Sequence, residues 1–231
     1  LEIGSDDSAS WEIQEYFPEG TLADLMALVP GAWHTDDVRQ VLTEIGRALE
    51  HVHRQVDIVH RDLKPANVFV RKVVLLDLVL GDFWLARELL LSAQLMSVAG
   101  TFAYMPPESV RYGETSRESD WWALGVIVHE LLTGHHLVHH PDNARGELDE
   151  HVVRKAISEG QYTLEDVPGE RWLLLLRGLL TRSRSHRWGW AQVKEWLAGG
   201  SPQVVAEQAV PATVRPSGSL PFLGGIYTEP R

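Results

Sequence analysis

The chain has 231 residues, 44% of them hydrophobic and 23% charged, the balance of a soluble globular protein with room for a real core. A formal net charge of −11 disfavours nucleic acid and anionic membrane as partners. No apolar run approaches the ~18 residues of a membrane helix. Zero cysteines exclude a disulfide framework and a thiolate metal site. Together with the lack of a signal-peptide pattern this fits an intracellular, cytoplasmic protein. The chain begins with Leu1 and reads as a piece of something longer.

Residues 11–17, WEIQEYF, alternate as a half-buried strand does, and Pro18, Glu19 and Gly20 turn the chain into a short helical stretch, TLADLMAL. The clearest helix runs from Asp36 to about Arg54, with Thr35 as N-cap. Val38, Val41, Leu42, Ile45, Leu49 and Val52 form one apolar stripe along it. Strand-like pieces, VFV and VVLLDLVL, follow the loop HRDLKPAN. From Glu118 to Thr133 the pattern is apolar almost all round, which predicts a helix buried at the centre. Further helical patterns cover 148–159, 170–181 and 190–198. Beyond Gly199 the composition turns to Pro, Ser and Gly, so residues 199–231 read as linker or tail and 1–198 as the folded domain.

Five motifs occur in the order HRDLKPAN (60–67), GDFWLAR (81–87), GTFAYMPPE (100–108), SDWWALGVIVHELLTG (119–134) and SHRWGW (185–190). In that order and at that spacing the chain resembles the C-terminal lobe of eukaryotic-type Ser/Thr protein kinases. The resemblance implies a mainly α (α+β) fold with short β-strands at the hinge and the catalytic loop. It also implies ATP and Mg²⁺ as cofactors and a protein substrate. Phosphoryl transfer asks a protein mainly to position groups and neutralise charge. By resemblance, Asp62 accepts or orients the proton of the substrate hydroxyl, and Lys64 places positive charge near the transferred group. Asn67 and Asp82 hold metal. Lys64, two residues after Asp62, resembles the Ser/Thr-specific enzymes more than the Tyr-specific ones. Glu15, Tyr16 and Phe17 match the hinge that meets adenine, and Phe69 joins them as a nucleotide-binding position.

The supporting residues are implied in the same way. His60 and Phe83 pack against each other under the site, and Asp120 accepts backbone N–H bonds from the catalytic loop. Glu108 and Arg187 form an ion pair. Arg61 awaits a phosphate on the activation segment, for which Ser97 is the chosen site among Ser92, Ser97 and Thr101. Thr101 is expected to contact Asp62 and Lys64 in the substrate floor. The run HHLVHH at 135–140 tempts a zinc reading, but no third ligand is evident, and its position matches a surface loop after the central helix.

Two departures matter. The first lysine in the chain is Lys64, and residues 1–59 hold only Gly4, Gly20, Gly31 and Gly46, with no Gly-rich loop. The phosphate-clamping half of a kinase, its N-lobe, is therefore expected from another part of the same parent chain. Trp84 replaces the Gly of Asp-Phe-Gly, and Pro106 replaces the Ala before Pro-Glu. Trp84 is expected to project into the space of an N-lobe helix, because Phe83 already fills the niche beside His60. A pseudokinase scaffold with an altered Asp-Phe-Trp motif is the alternative reading. A small-molecule kinase of the aminoglycoside-phosphotransferase type ranks last, since Lys64, the Pro-Glu segment end and Arg187 mark protein kinases.

Overall fold

A computed structural model describes residues 2–5, 10–13, 15–83, 101–138, 149–164 and 166–205. Among the described residues seven α-helices carry the fold: α1 (Leu22–Leu28), α2 (Thr35–His51), α3 (Pro107–Tyr112), α4 (Arg117–Thr133), α5 (Glu150–Glu159), α6 (Gly169–Leu179) and α7 (Trp190–Leu197). Two antiparallel ribbons accompany them, β1 (Glu2–Ser5) with β2 (Ser10–Ile13), and β3 (Val68–Lys72) with β4 (Asp77–Leu80). No helix among the described residues is long and apolar enough to cross a membrane.

The centre is α4. Every residue from Ser119 to Leu132 except Glu130 is buried, as its all-round apolar pattern requires. Against it packs α2, whose stripe of Val38, Val41, Leu42, Ile45 and Leu49 is fully buried. On another side lies α6, and α7 packs on α2. Tryptophans fill the gaps between these helices. Trp121 stacks on Trp190 with ring centroids 6.5 Å apart, and Trp172 meets Trp196 at 4.8 Å. The Trp188 indole lies so close to the backbone of α6 that a Cβ at Gly178 would stand 2.1 Å from it. Only glycine leaves that space.

Four local expectations change. The α2 N-cap is His34 and not Thr35: Thr35 is already helical, and His34 Nδ1 accepts the Asp36 N–H at 3.4 Å. At the other end α2 runs into a wider π-type turn, Val52–Val56, which buries His53 and leaves Val52 only half-buried. The run VVLLDLVL is a strand only in its second half. Val73, Val74 and Leu75 are exposed at the turn between β3 and β4, and Leu75 takes φ 55°, which ends the extended backbone there. The strand expected over 11–17 stops at Ile13, and residues 15–17 form an irregular segment drawn toward β3.

The chain just past residue 198 keeps contact with the domain. Gly200 N–H donates to the Glu195 carbonyl at 2.9 Å, Trp188 Nε1 donates to the Gln203 carbonyl at 3.0 Å, and Pro202 is buried. Residues 201–205, read from composition as linker, therefore lie against the domain. The remainder of the tail, 206–231, is outside the described residues.

Candidate active site

The loop between α2 and β3 holds the residues expected to carry the chemistry, and Asp120 of α4 supports it. Asp120, 1% exposed near the start of α4, receives three hydrogen bonds. His60 N–H donates to its Oδ2 at 2.9 Å, Arg61 N–H to its Oδ1 at 2.9 Å, and His53 Nε2 lies 2.7 Å from Oδ2. A buried carboxylate is tolerated only with such donors. Arg61 meets them in the left-handed region at φ 70°, a costly conformation for a non-glycine residue that persists because Asp120 fixes its amide.

Asp62, 5% exposed, is held by its neighbours. Lys64 Nζ donates to Asp62 Oδ2 at 2.8 Å, and Asn67 Nδ2 donates to both Asp62 Oδ2 (2.9 Å) and the Asp62 carbonyl (2.8 Å). The other carboxylate oxygen, Oδ1, is buried with no hydrogen-bond partner among the described residues. Such an oxygen in a native site calls for a partner. Because the Asn67 amide spends its N–H groups on Asp62, its oxygen faces away from Asp62.

The segment with Asp82 is attached to this loop at two points. Gly81 N–H donates to the Asn67 carbonyl at 3.0 Å, and His60 Nε2 donates to the Gly81 carbonyl at 3.0 Å. Beside them the His60 and Phe83 rings meet at 4.7 Å. Asp82 itself is exposed, with φ 55°. Gly81 has a steric reason, since a Cβ there would lie 2.2 Å from the Phe69 ring. Asn67 and Asp82 offer hard oxygen donors from adjoining backbone, the chemistry Mg²⁺ takes when phosphates supply the rest of its shell.

The hinge-like segment lies beside β3. Phe17 stacks on Phe69 at 5.0 Å, and Thr21 bridges to Phe69 through the backbone. Arg71 binds Glu15 through two parallel hydrogen bonds of 2.8 and 2.7 Å. That bond is the main cause holding the Glu15 carboxyl below its ordinary range. Tyr16 is 85% exposed, so its side chain contributes nothing to packing here.

Glu108 and Arg187 join α3 to the segment after α6. Arg187 Nη1 and Nη2 donate to the two Glu108 oxygens at 2.6 and 2.9 Å. Trp84 and Ser97 lie outside the described residues, as does the Thr101 side chain. The loop after α4 is less superficial than its sequence suggests. His136 and Leu137 are buried, while His139 and His140 are outside the described residues. Sequence reasoning missed His53, whose signal was its place four residues after Leu49 on the stripe of α2. It missed Arg71 as well, and nothing local marks a pairing across 56 residues.

Three buried imidazoles make stability pH-dependent. Burial lowers the His60 pKa, and burial also pushes His129 and His136 down to about 4 from the ordinary 6.5 of histidine. Between those values the unfolded chain binds protons that the folded chain refuses. The stability they contribute is therefore complete above 6.5 and lost as pH falls toward 4. His129 and His136 each remove up to about 1.4 kcal/mol per pH unit between those values. Glu130, whose carboxyl is raised by burial, acts in the opposite direction. The urea midpoint should drop between pH 7 and pH 5; a flat profile would contradict this account.

The model of the family described as "Protein kinase domain" matches residues 2–197. Among similar proteins, Serine/threonine-protein kinase AtPK2/AtPK19 of Arabidopsis thaliana is 32% identical over 161 residues, 69% of this chain and 31% of that protein. Ribosomal protein S6 kinase alpha-6 of Mus musculus is 33% identical over 161 residues, 69% of this chain and 20% of that protein. Mitogen-activated protein kinase kinase kinase of Drosophila melanogaster is 35% identical over 130 residues, 53% of this chain and 11% of that protein. The chain thus spans about a third or less of the length of these relatives. With the catalytic-loop, Asp-Phe and Pro-Glu segments assembled as described and the family model matching nearly all of the folded region, the chain belongs to the protein kinase family.

Proposed function

We propose that this chain is the C-terminal lobe of an ATP-dependent Ser/Thr protein kinase, with Asp62, Lys64, Asn67 and Asp82 as its working residues. The observation that carries the reading is the Asp62 carboxylate, with Oδ2 held by Lys64 and Asn67 and Oδ1 buried and unpartnered among the described residues. That is the arrangement a substrate hydroxyl needs in a positioned proton acceptor. As the hydroxyl oxygen forms its bond to the γ-phosphorus and the bond to the ADP oxygen breaks, Asp62 takes the hydroxyl proton. Lys64 keeps the Asp62 carboxylate oriented and adds positive charge beside the phosphoryl group. Asn67 and Asp82 would hold Mg²⁺, which when bound neutralises charge on the phosphates. Phe69 and the backbone of Glu15 to Phe17 would take the adenine. The Ser/Thr class rests on Lys64 two residues after Asp62 and on the names of the similar kinases.

Residues 1–59 contain neither a lysine nor a Gly-rich loop. We infer that an upstream N-lobe of the full-length protein supplies them, and that residues 1–231 alone transfer no phosphate. The purified chain, given labelled ATP, Mg²⁺ and a generic protein acceptor, should leave the acceptor unlabelled. Robust labelling that disappears with Asp62→Asn would overturn the inference about the N-lobe.

A further inference from the structure

We propose that His136 is a positioning residue for the segment that receives the protein substrate, fastening the Thr101–Tyr104 turn to the end of α4 through one neutral imidazole. Only the word substrate rests on the kinase reading; the attachment stands on geometry. His136 is 7% exposed, and both ring nitrogens are engaged. Nε2 lies 2.8 Å from the Ala103 carbonyl, and Nδ1 lies 3.2 Å from the Val138 amide nitrogen.

A carbonyl can only accept and a backbone amide can only donate, so the proton sits on Nε2 and the lone pair on Nδ1. An imidazolium would turn a second N–H against the Val138 N–H and break that bond. Asparagine, serine or lysine cannot span both partners from this position with a rigid ring.

The next residue of the turn is anchored to the same helix end. The Tyr104 ring meets His136 edge-on at 5.7 Å, and its hydroxyl donates to the half-buried Glu130 at 2.8 Å. Around them stand His135, paired with Asp166 at 3.4 Å, and His129 against His135. Ala103 is therefore held by its backbone and Tyr104 by its side chain. The turn closes on the Met105 N–H, which donates to the Phe102 carbonyl at 3.2 Å. Tyr104, Met105 and Pro106 then line one cavity of about 30 Å³ with Arg61 and Asp62. Through that shared wall the position of the turn is set relative to the Asp62 carboxylate.

Two measurements test the proposal. In the 231-residue chain, long-range nitrogen–proton NMR correlations of His136 should report the neutral Nε2–H tautomer at pH 7 and still at pH 5. His136→Phe keeps the ring volume and removes both bonds, whereas His136→Gln keeps one donor and one acceptor. Amide exchange at Met105 should quicken about tenfold or more in the Phe variant, with Leu124 in α4 unchanged and the Gln variant intermediate. In the full-length protein the Phe variant should raise the KM for a peptide acceptor about tenfold with kcat within threefold, partly restored by Gln. A His136 that is the Nδ1–H tautomer, or protonated at pH 6, would overturn the proposal. Unchanged Met105 exchange in the Phe variant would do the same. If the NMR and exchange results hold while no peptide is phosphorylated, the attachment stands and the kinase reading fails.

Discussion

Asp62→Ala in the full-length protein is expected to lower kcat by about 10²–10⁴-fold, the usual contribution of a positioned acid–base group. KM for ATP should change little, because the role proposed for Asp62 is toward the acceptor hydroxyl and not the nucleotide. The loss has a structural signature. Lys64 Nζ and Asn67 Nδ2 both donate to Asp62 Oδ2, and the substitution removes that shared acceptor. Asp62→Asn separates the two effects: it keeps the side-chain shape and withdraws the carboxylate charge and basicity. Both variants should retain the wild-type melting temperature within a few degrees, since Asp120 and not Asp62 holds the loop to α4. Near-normal turnover in either variant would favour the pseudokinase scaffold.

Arg187→Ala should destabilise the domain by about 3–5 kcal/mol, because it leaves the buried Glu108 carboxylate without its counter-charge. Few side chains here are so fully engaged. The two Glu108 bonds are joined by Nε to the Thr181 carbonyl at 2.9 Å, Nη1 to the Glu118 carbonyl at 2.9 Å and Nη2 to the Arg182 carbonyl at 3.3 Å. All five guanidinium donors are thereby used, and the group also lies over the Trp122 ring at 5.1 Å. Lysine offers three donors on a point charge and cannot reproduce the fork, so Arg187→Lys should recover only part of the loss. Glu108→Gln should be milder than Glu108→Ala, since an amide still offers one oxygen. Urea denaturation measures all four variants. An Arg187→Ala midpoint equal to wild type would mean that the pair contributes nothing to stability.

Much of this architecture is visible in residue order because its causes are local. The stripe of α2 and the all-round apolar α4 are periodic patterns whose burial follows from helix geometry. The Asp62, Lys64 and Asn67 cluster is legible because all three sit within six residues of one loop, where chemistry constrains residue type. What stayed hidden depends on distant partners. His53 looked like a polar end to a helix, yet the π-type turn and Asp120, 67 residues away, make it a buried support for the catalytic loop. Val73 to Leu76 satisfy any strand pattern, but the ribbon has to reverse there, and Leu75 adopts the left-handed conformation that does so. His136 sat in a run that reads as a histidine-rich surface loop; only the folded Thr101–Tyr104 turn gives its ring a carbonyl to bind. Charge pairing across the chain, as in Arg71 with Glu15, leaves no periodic trace at all.

The most direct test of the central claim is transfer of labelled γ-phosphate from ATP to serine or threonine of an acceptor protein by the full-length protein, compared with its Asp82→Ala form. Asp82, exposed and attached next to Asn67 through Gly81, is the carboxylate assigned to the metal, and its loss should not disturb the core. We expect phosphoserine or phosphothreonine to form with the native protein and most of it to vanish with Asp82→Ala at unchanged melting temperature. Labelling that is absent from the folded native protein, or equal in the two forms, would contradict the assignment of this site to phosphoryl transfer.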